Sequence, residues 1–347
     1  MARKHLEKGA ALVETGAVSV HKYSRSAMGT IFELFLDHEE QDYASQAAAA
    51  CFESLEEIEL ELSRFLENSD ISRIVALQRN EKLILGRHAY ACLALSQKMT
   101  RETGGAFDVA YLSMGVGTGT REHRAKSRGK DPIATERPTN IPELFRLDPA
   151  NGEIQSLAEA LTLDLGGIGK GYALDCMAHI LNEWGLQRAL LQGGRSSVLA
   201  MDAPQGQTGW NLAISDPDGA GGVLARLNLR NRALGASGIL QGPHIKIPAS
   251  FTGRHDKQVR ATWTIGTSAA EMDAFSTAAM LIDEQLLIRC CQKFCPAAAR
   301  LESQPAINDT AATSQLMLYG PEQDLFTLEL PVSAGPAEGF EQENQLL

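Results

Sequence analysis

No stretch of this 347-residue chain is apolar for the roughly 20 consecutive residues that a bilayer-spanning helix needs. Positive charge is also short: 32 Lys and Arg stand against 43 Asp and Glu, a formal net charge of −11. Such a chain has no general attraction for nucleic acid or anionic lipid, which leaves only local basic pockets for an anionic partner. The charged opening Met1-Ala2-Arg3-Lys4 is followed by no apolar signal-peptide core, and no lipid-attachment cysteine comes early, so a cytoplasmic location is expected. Cys290, Cys291 and Cys295 match no common zinc spacing. Together with Cys51, Cys92 and Cys176 they read as small buried hydrophobes or incidental thiols. Neither a Walker loop nor the Gly-x-Gly-x-x-Gly dinucleotide fingerprint is present, and no internal repeat is visible.

What is present is a series of helix and strand signals without a regular βαβ rhythm. Residues 1–21 read as a loosely held leader, and Tyr23 to Leu36 as a turn followed by an alternating strand. Asp42 to Phe65 is a helix, with Phe52, Leu55, Ile58, Leu62 and Phe65 at three- and four-residue steps. Asn68-Ser-Asp-Ile-Ser-Arg-Ile74 would cap and start a short helix, and His88 to Arg101 forms another, closed by Gly104-Gly105. Gly115 to Asn140, rich in Gly, Arg, Lys and Pro, reads as a loop. Short strands are expected at Leu161 to Leu165, on both sides of Gln192-Gly193-Gly194, and at Trp210 to Ile214, Val223 to Leu229, Ala233 to Leu234 and Thr262 to Ile265. The last strands are at Leu316 to Tyr319 and Leu325 to Leu330, and a helix runs through Thr267 to Ile282. An acidic tail begins at Pro336. The mixture predicts an α+β protein, with its main domain over residues 22–335.

The most informative stretch is Leu163 to Asp175. Gly166, Gly167, Gly169 and Gly171 allow backbone N–H groups to approach an anion, and Lys170 adds a point charge suited to phosphate. The helix that follows would turn its N-terminus to that anion. The same strand–turn–helix is also compatible with a purely structural role. Asp273 and Thr277, at i and i+4, place a carboxylate and a hydroxyl on one helix face, an oxygen pair suited to a hard cation. The alternative is a surface aspartate and a threonine bonded to its own backbone.

Read together and in order, seven segments resemble the ApbE family of FAD:protein FMN transferases. They are 27–30 (Ala-Met-Gly-Thr), 61–74 (Glu-Leu-Ser-Arg-Phe through Ser-Asp-Ile-Ser-Arg-Ile), 103–108 (Thr-Gly-Gly-Ala-Phe-Asp), 164–175, 192–197 (Gln-Gly-Gly-Arg-Ser-Ser), 236–238 (Ala-Ser-Gly) and 268–277. The resemblance implies a T-fold-like, two-lobed α+β architecture with the site in a cleft between the lobes. It also implies magnesium-dependent transfer of the FMN half of FAD to a threonine hydroxyl of an acceptor flavoprotein, with AMP leaving. By resemblance, Met28, Ala106, Phe107, Asp108, Asp164, Lys170, Gly193, Gly194 and His244 would contact the dinucleotide. Gly167, through its carbonyl, with Asp273 and Thr277 would hold magnesium, and Asp273 and His244 would serve catalysis. Two departures stand out: Ile247 occupies the place of a family aspartate, and Val75 that of an asparagine. Since isoleucine accepts neither a proton nor a hydrogen bond, FAD hydrolysis to FMN and AMP, and flavin binding without turnover, are the competing expectations.

Overall fold

The computed structural model describes residues 20–111, 113, 143–217, 222–238, 258–304, 313–329 and 334–336. The chain enters through a hairpin of β1 (Val20–Ala27) and β2 (Thr30–Asp37), whose tight turn is Met28-Gly29 with φ of 50° and 74°. The sequence gives no alternating signal for β1, because Lys22, Ser24 and Arg25 make it a polar edge strand. Helix α1 (Gln41–Leu62) buries Ala44, Ala48, Cys51, Leu55, Ile58 and Leu62 along one stripe. The Ser69 hydroxyl accepts from the Ser72 N–H and starts the short α2 (Asp70–Ile74). Helix α3 (Arg87–Glu102) is capped from a distance: one oxygen of Glu61 accepts from the N–H groups of His88 and Ala89, each at 2.8 Å.

Two further helices position the site, α4 (Gly169–Glu183) and α5 (Ala269–Ala279), and α6 (Glu284–Lys293) follows. The remaining strands of the main sheet are β6 (Ala189–Gly193), β7 (Ser197–Ala200), β10 (Arg232–Gly238), β11 (Gln258–Gly266), β12 (Ala297–Gln304), β13 (Thr313–Tyr319) and β15 (Ala334–Pro336). With β1 and β2 they form a nine-stranded sheet in the order β1-β2-β6-β7-β10-β11-β12-β13-β15, antiparallel except for the β13–β15 pair. A small sheet joins β8 (Trp210–Ser215), β9 (Val223–Leu229) and β14 (Thr327–Leu328), and a second joins β3 (Lys82–Ile84), β4 (Phe145–Asp148) and β5 (Glu153–Ser156). The large sheet separates two apolar cores. One lies under α1, α3, α4 and α5, and the other under β8 and β9. This is the expected α+β class.

The structure departs from the sequence reading in places. Leu161, Leu163 and Leu165 are buried, yet the segment 161–165 joins no sheet, and the Asp164 N–H donates to the Val109 carbonyl instead. A short apolar run does not reveal by periodicity which neighbour will bury it. Pro336, the expected start of the tail, ends β15. The leader expected over residues 1–21 is shortened at its end, because Val20 and His21 pair with Asp37 and Leu36 in β1. Residues 1–19, the loop 115–140, the family segment around His244 and Ile247, and residues 337–347 lie outside the described residues.

Candidate active site

The glycine-rich turn folds around its own side chains. One oxygen of Asp164 accepts from the Gly166 N–H at 2.9 Å. The other meets the Arg64 guanidinium at 3.1 Å and the Tyr111 hydroxyl at 3.2 Å. Lys170, in the first turn of α4, extends its ammonium to the Gly166 carbonyl at 3.2 Å. At Gly171 the helix N-terminus already faces an anion, but that anion belongs to the protein: the N–H donates to Oδ2 of Asp273 at 2.8 Å. The phosphate expected there is replaced, at this amide, by a side chain from α5.

Asp273 is not the surface residue that the bland reading of its helix anticipated, since only 4% of it is exposed. Its Oδ1 accepts from the Ser197 hydroxyl of β7 at 2.6 Å. Burial pushes its carboxyl above the ordinary aspartate range, and the Lys170 charge, the Ser197 hydroxyl and the Gly171 N–H work against that shift. One turn further on, the Thr277 hydroxyl lies 3.2 Å from the Ser237 hydroxyl and 3.4 Å from the Asp273 carbonyl, which it can reach in the helix-internal manner. It also stands 3.3 Å from where a Cβ on Gly167 would be, and the Phe107 ring lies 3.2 Å from the same point. Gly167, Asp273 and Thr277 are therefore brought together from the glycine turn and α5.

Other expected residues surround this centre. The Met28 side chain reaches Gly169, and its N–H donates to Glu59 at 2.7 Å. Gly193 ends β6 beside Lys170 and Phe32, and the Gly194 N–H donates to the Ile31 carbonyl at 2.9 Å. Ala106 and Phe107 are buried. Asp108 uses Oδ1 locally, accepting from the Ala110 N–H at 2.9 Å. His244 lies outside the described residues. Arg64, Ser197 and Ser237, which lie in the matched segments 61–74, 192–197 and 236–238 but had no role assigned from sequence, join the site together with Tyr111. They arrive from separate elements, and spacing within one segment carries no signal of that.

Among the described residues, no three or more His, Cys, Asp and Glu side chains group as metal ligands. A cation here would draw on mixed oxygens: one carboxylate, one hydroxyl and one main-chain carbonyl. Those donors suit a hard ion. A carboxylate offers about four lone-pair sites, and Asp273 has one hydrogen bond on each oxygen, so acceptor capacity remains.

The ApbE family sequence profile matches residues 28–301. The chain belongs to the ApbE family. It is 26% identical over 235 residues to the FAD:protein FMN transferase of Treponema pallidum (strain Nichols), covering 59% of this chain and 61% of that one. To the FAD:protein FMN transferase of Buchnera aphidicola subsp. Schizaphis graminum it is 21% identical over 190 residues, 53% of this chain and 55% of the relative. The chain thus spans little more than half the length of these curated relatives. The ApbE fold extends further than the sequence match. The flavin transferase ApbE from Vibrio cholerae superposes with a TM-score of 0.67 at 17% identity, covering 88% of this chain and 99% of that one.

Proposed function

We propose that this ApbE protein transfers the FMN half of FAD to a threonine hydroxyl of an acceptor flavoprotein, releasing AMP, in a magnesium-dependent reaction. The observation that carries this reading is the convergence of Gly167, Lys170, Asp273 and Thr277 beside Met28 and Gly193. In the step envisaged, the threonine oxygen bonds to the FMN phosphorus and the bond from that phosphorus to the AMP oxygen breaks. AMP leaves with its electron pair, and the hydroxyl proton passes to a carboxylate oxygen of Asp273. The Gly167 carbonyl, Asp273 and Thr277 would hold magnesium, which when bound supplies charge neutralisation at the pyrophosphate. Lys170 offsets further phosphate charge, and the surrounding main chain aligns the reacting atoms. Asp273 is the one carboxylate among Gly167, Lys170, Asp273 and Thr277, and so the group of this set able to accept the proton. His244 is assigned to the flavin side of the site by resemblance alone. No helix among the described residues is long and apolar enough to cross a membrane.

The test is to incubate the protein with FAD, magnesium and a threonine-bearing flavin-acceptor domain. A fluorescent, covalently labelled acceptor and stoichiometric AMP are expected, and both should vanish in D273A. T277V keeps shape but loses a neutral oxygen, so its magnesium requirement should rise without abolishing transfer. AMP without label would favour hydrolysis. Tight FAD binding with neither product would leave a flavin binder that does no chemistry, and would give weight to Ile247.

A further inference from the structure

We propose that Asp175 is the positioning residue of this site: it locks α5 against α4 so that Asp273 and Thr277 face Gly167. The proposal rests on the reading of the site given above. Asp175 lies six residues beyond the start of α4, on the helix that begins with Gly169, Lys170 and Gly171. Its carboxylate does nothing for α4. It accepts from the Ser268 hydroxyl at 2.7 Å, the Ala269 N–H at 2.8 Å and the Ala270 N–H at 3.0 Å, the opening groups of α5. Asp273 returns the arrangement, leaving α5 to accept from the Gly171 N–H in the first turn of α4. Each helix therefore supplies the anion that caps the other.

Two such caps between one pair of helices fix more than two stabilities. Gly171 meets Asp273, while Asp175 meets Ala269 and Ala270, so the helices pass in opposite senses with their N-terminal ends overlapping. A Cβ on Gly171 would overlap the Ala269 carbonyl, so the backbones are already at contact and sliding has little room. The far end of α5 is held as well. The buried guanidinium of Arg300, on β12, donates to the Ala279 carbonyl at 2.8 Å and the Ile282 carbonyl at 2.7 Å. A half-buried anion at the first turn of α5 and a buried cation at its last match the helix dipole at both ends. A change at Asp175 would therefore be felt at the Asp273–Gly171 contact, although Asp175 touches neither Gly167 nor Thr277 in this structure.

The test uses the full chain with D175N, which keeps size but turns an amide donor toward helix N–H donors, and S268A, which leaves α4 untouched. S268A removes one of the three bonds together with the cap that the Ser268 hydroxyl gives the Glu271 N–H at 3.2 Å, so only Gly171 and the magnesium response are read from it. Hydrogen exchange resolved to single amides, and FAD titrations with magnesium or with EDTA, are the readouts. For D175N, protection at Gly171 should fall about tenfold or more together with that at 269–271. FAD affinity in EDTA should stay within about twofold, while the magnesium-dependent gain in affinity falls about tenfold. S268A should lower Gly171 protection and the magnesium gain in the same direction by about threefold, and those two readouts decide the matter if D175N does not fold. Faster exchange confined to 269–271, with Gly171 protection and the magnesium gain unchanged, would reduce Asp175 to a local cap and overturn the proposal. Should wild type show no magnesium response, the metal reading of the site fails, and exchange at Gly171 alone still decides whether Asp175 sets the helix pair.

Discussion

Along β11, Trp263 and Ile265 enter the apolar layer beneath β8 and β9, while Thr262 and Thr264 point the other way and donate to the Ser276 and Met272 carbonyls of α5 at 2.7 and 2.9 Å. That alternation divides the molecule. Beneath the small sheet the fillers are Trp210, Leu212, Ile214, Leu227, Leu229 and their neighbours, held by area and shape. On the helical face the apolar packing is interrupted by Ser197, Thr262, Thr264, Asp273, Ser276 and Arg300, all buried and all hydrogen-bonded. An apolar contact tolerates small displacements, whereas a buried polar group that loses its partner costs about 1–3 kcal/mol. Placing the candidate site on the polar face puts its oxygens where positions are set by directional bonds.

The largest effect expected is on the apolar face. W210A should lower stability to urea by about 3–5 kcal/mol, while FAD affinity of the remaining folded protein and its magnesium dependence stay as in wild type. An accompanying loss of magnesium dependence would show that the two faces are not separable. G235A should break the other side of the comparison. A Cβ there would overlap the Met272 carbonyl, so β10 and α5 must part. A stability loss of about 1–3 kcal/mol is expected, this time with a weakened magnesium response. Unchanged FAD binding in a destabilised G235A would remove the link between this contact and the site.

The smallest effect is a pH dependence. His88 is buried beside Tyr172, whose hydroxyl lies 3.2 Å from Nδ1, and the Arg87 guanidinium donates to Nε2 at 3.0 Å. Burial holds its pKa below the ordinary 6.5, with Arg87 acting in the same direction and Glu61 and Glu57 against it. The unfolded chain therefore takes up this proton first. The stability that neutral His88 contributes is complete above pH 6.5 and is lost as pH falls through the lowered folded value. Urea stability measured downward from pH 7 to about 5 should fall more steeply in wild type than in H88Q. Parallel profiles would exclude His88 as the cause.

Where a segment carries its own period, sequence located it well. The stripe on α1, the short helix begun in the run from Asn68, the strand β9 and the helix through Asp273 all appear within a few residues of expectation. Elements whose pattern is set by neighbours were harder. β1 is a polar edge, the three-residue β3 is too short to show alternation, and Leu161 to Leu165 is buried by helices and joins no sheet. At the site, the pairing of a carboxylate with a hydroxyl on α5 was readable from a four-residue step. The engagement of Asp273 by Gly171 and Ser197, and of Asp164 by Arg64, spans 102, 76 and 100 residues, and no local pattern encodes such distances.

Asp273 ends the α4 N-terminus with the same carboxylate that would meet a cation, and this changes what its presence can tell an observer. A descendant of this protein that abandoned chemistry altogether would still need an acceptor for the Gly171 amide and the Ser197 hydroxyl. Finding an aspartate at this place in another chain is thus poor testimony of activity. Thr277 is a better witness: its hydroxyl touches only Ser237 and its own helix backbone among the described residues, so the fold gives less reason to retain it once the reaction is gone.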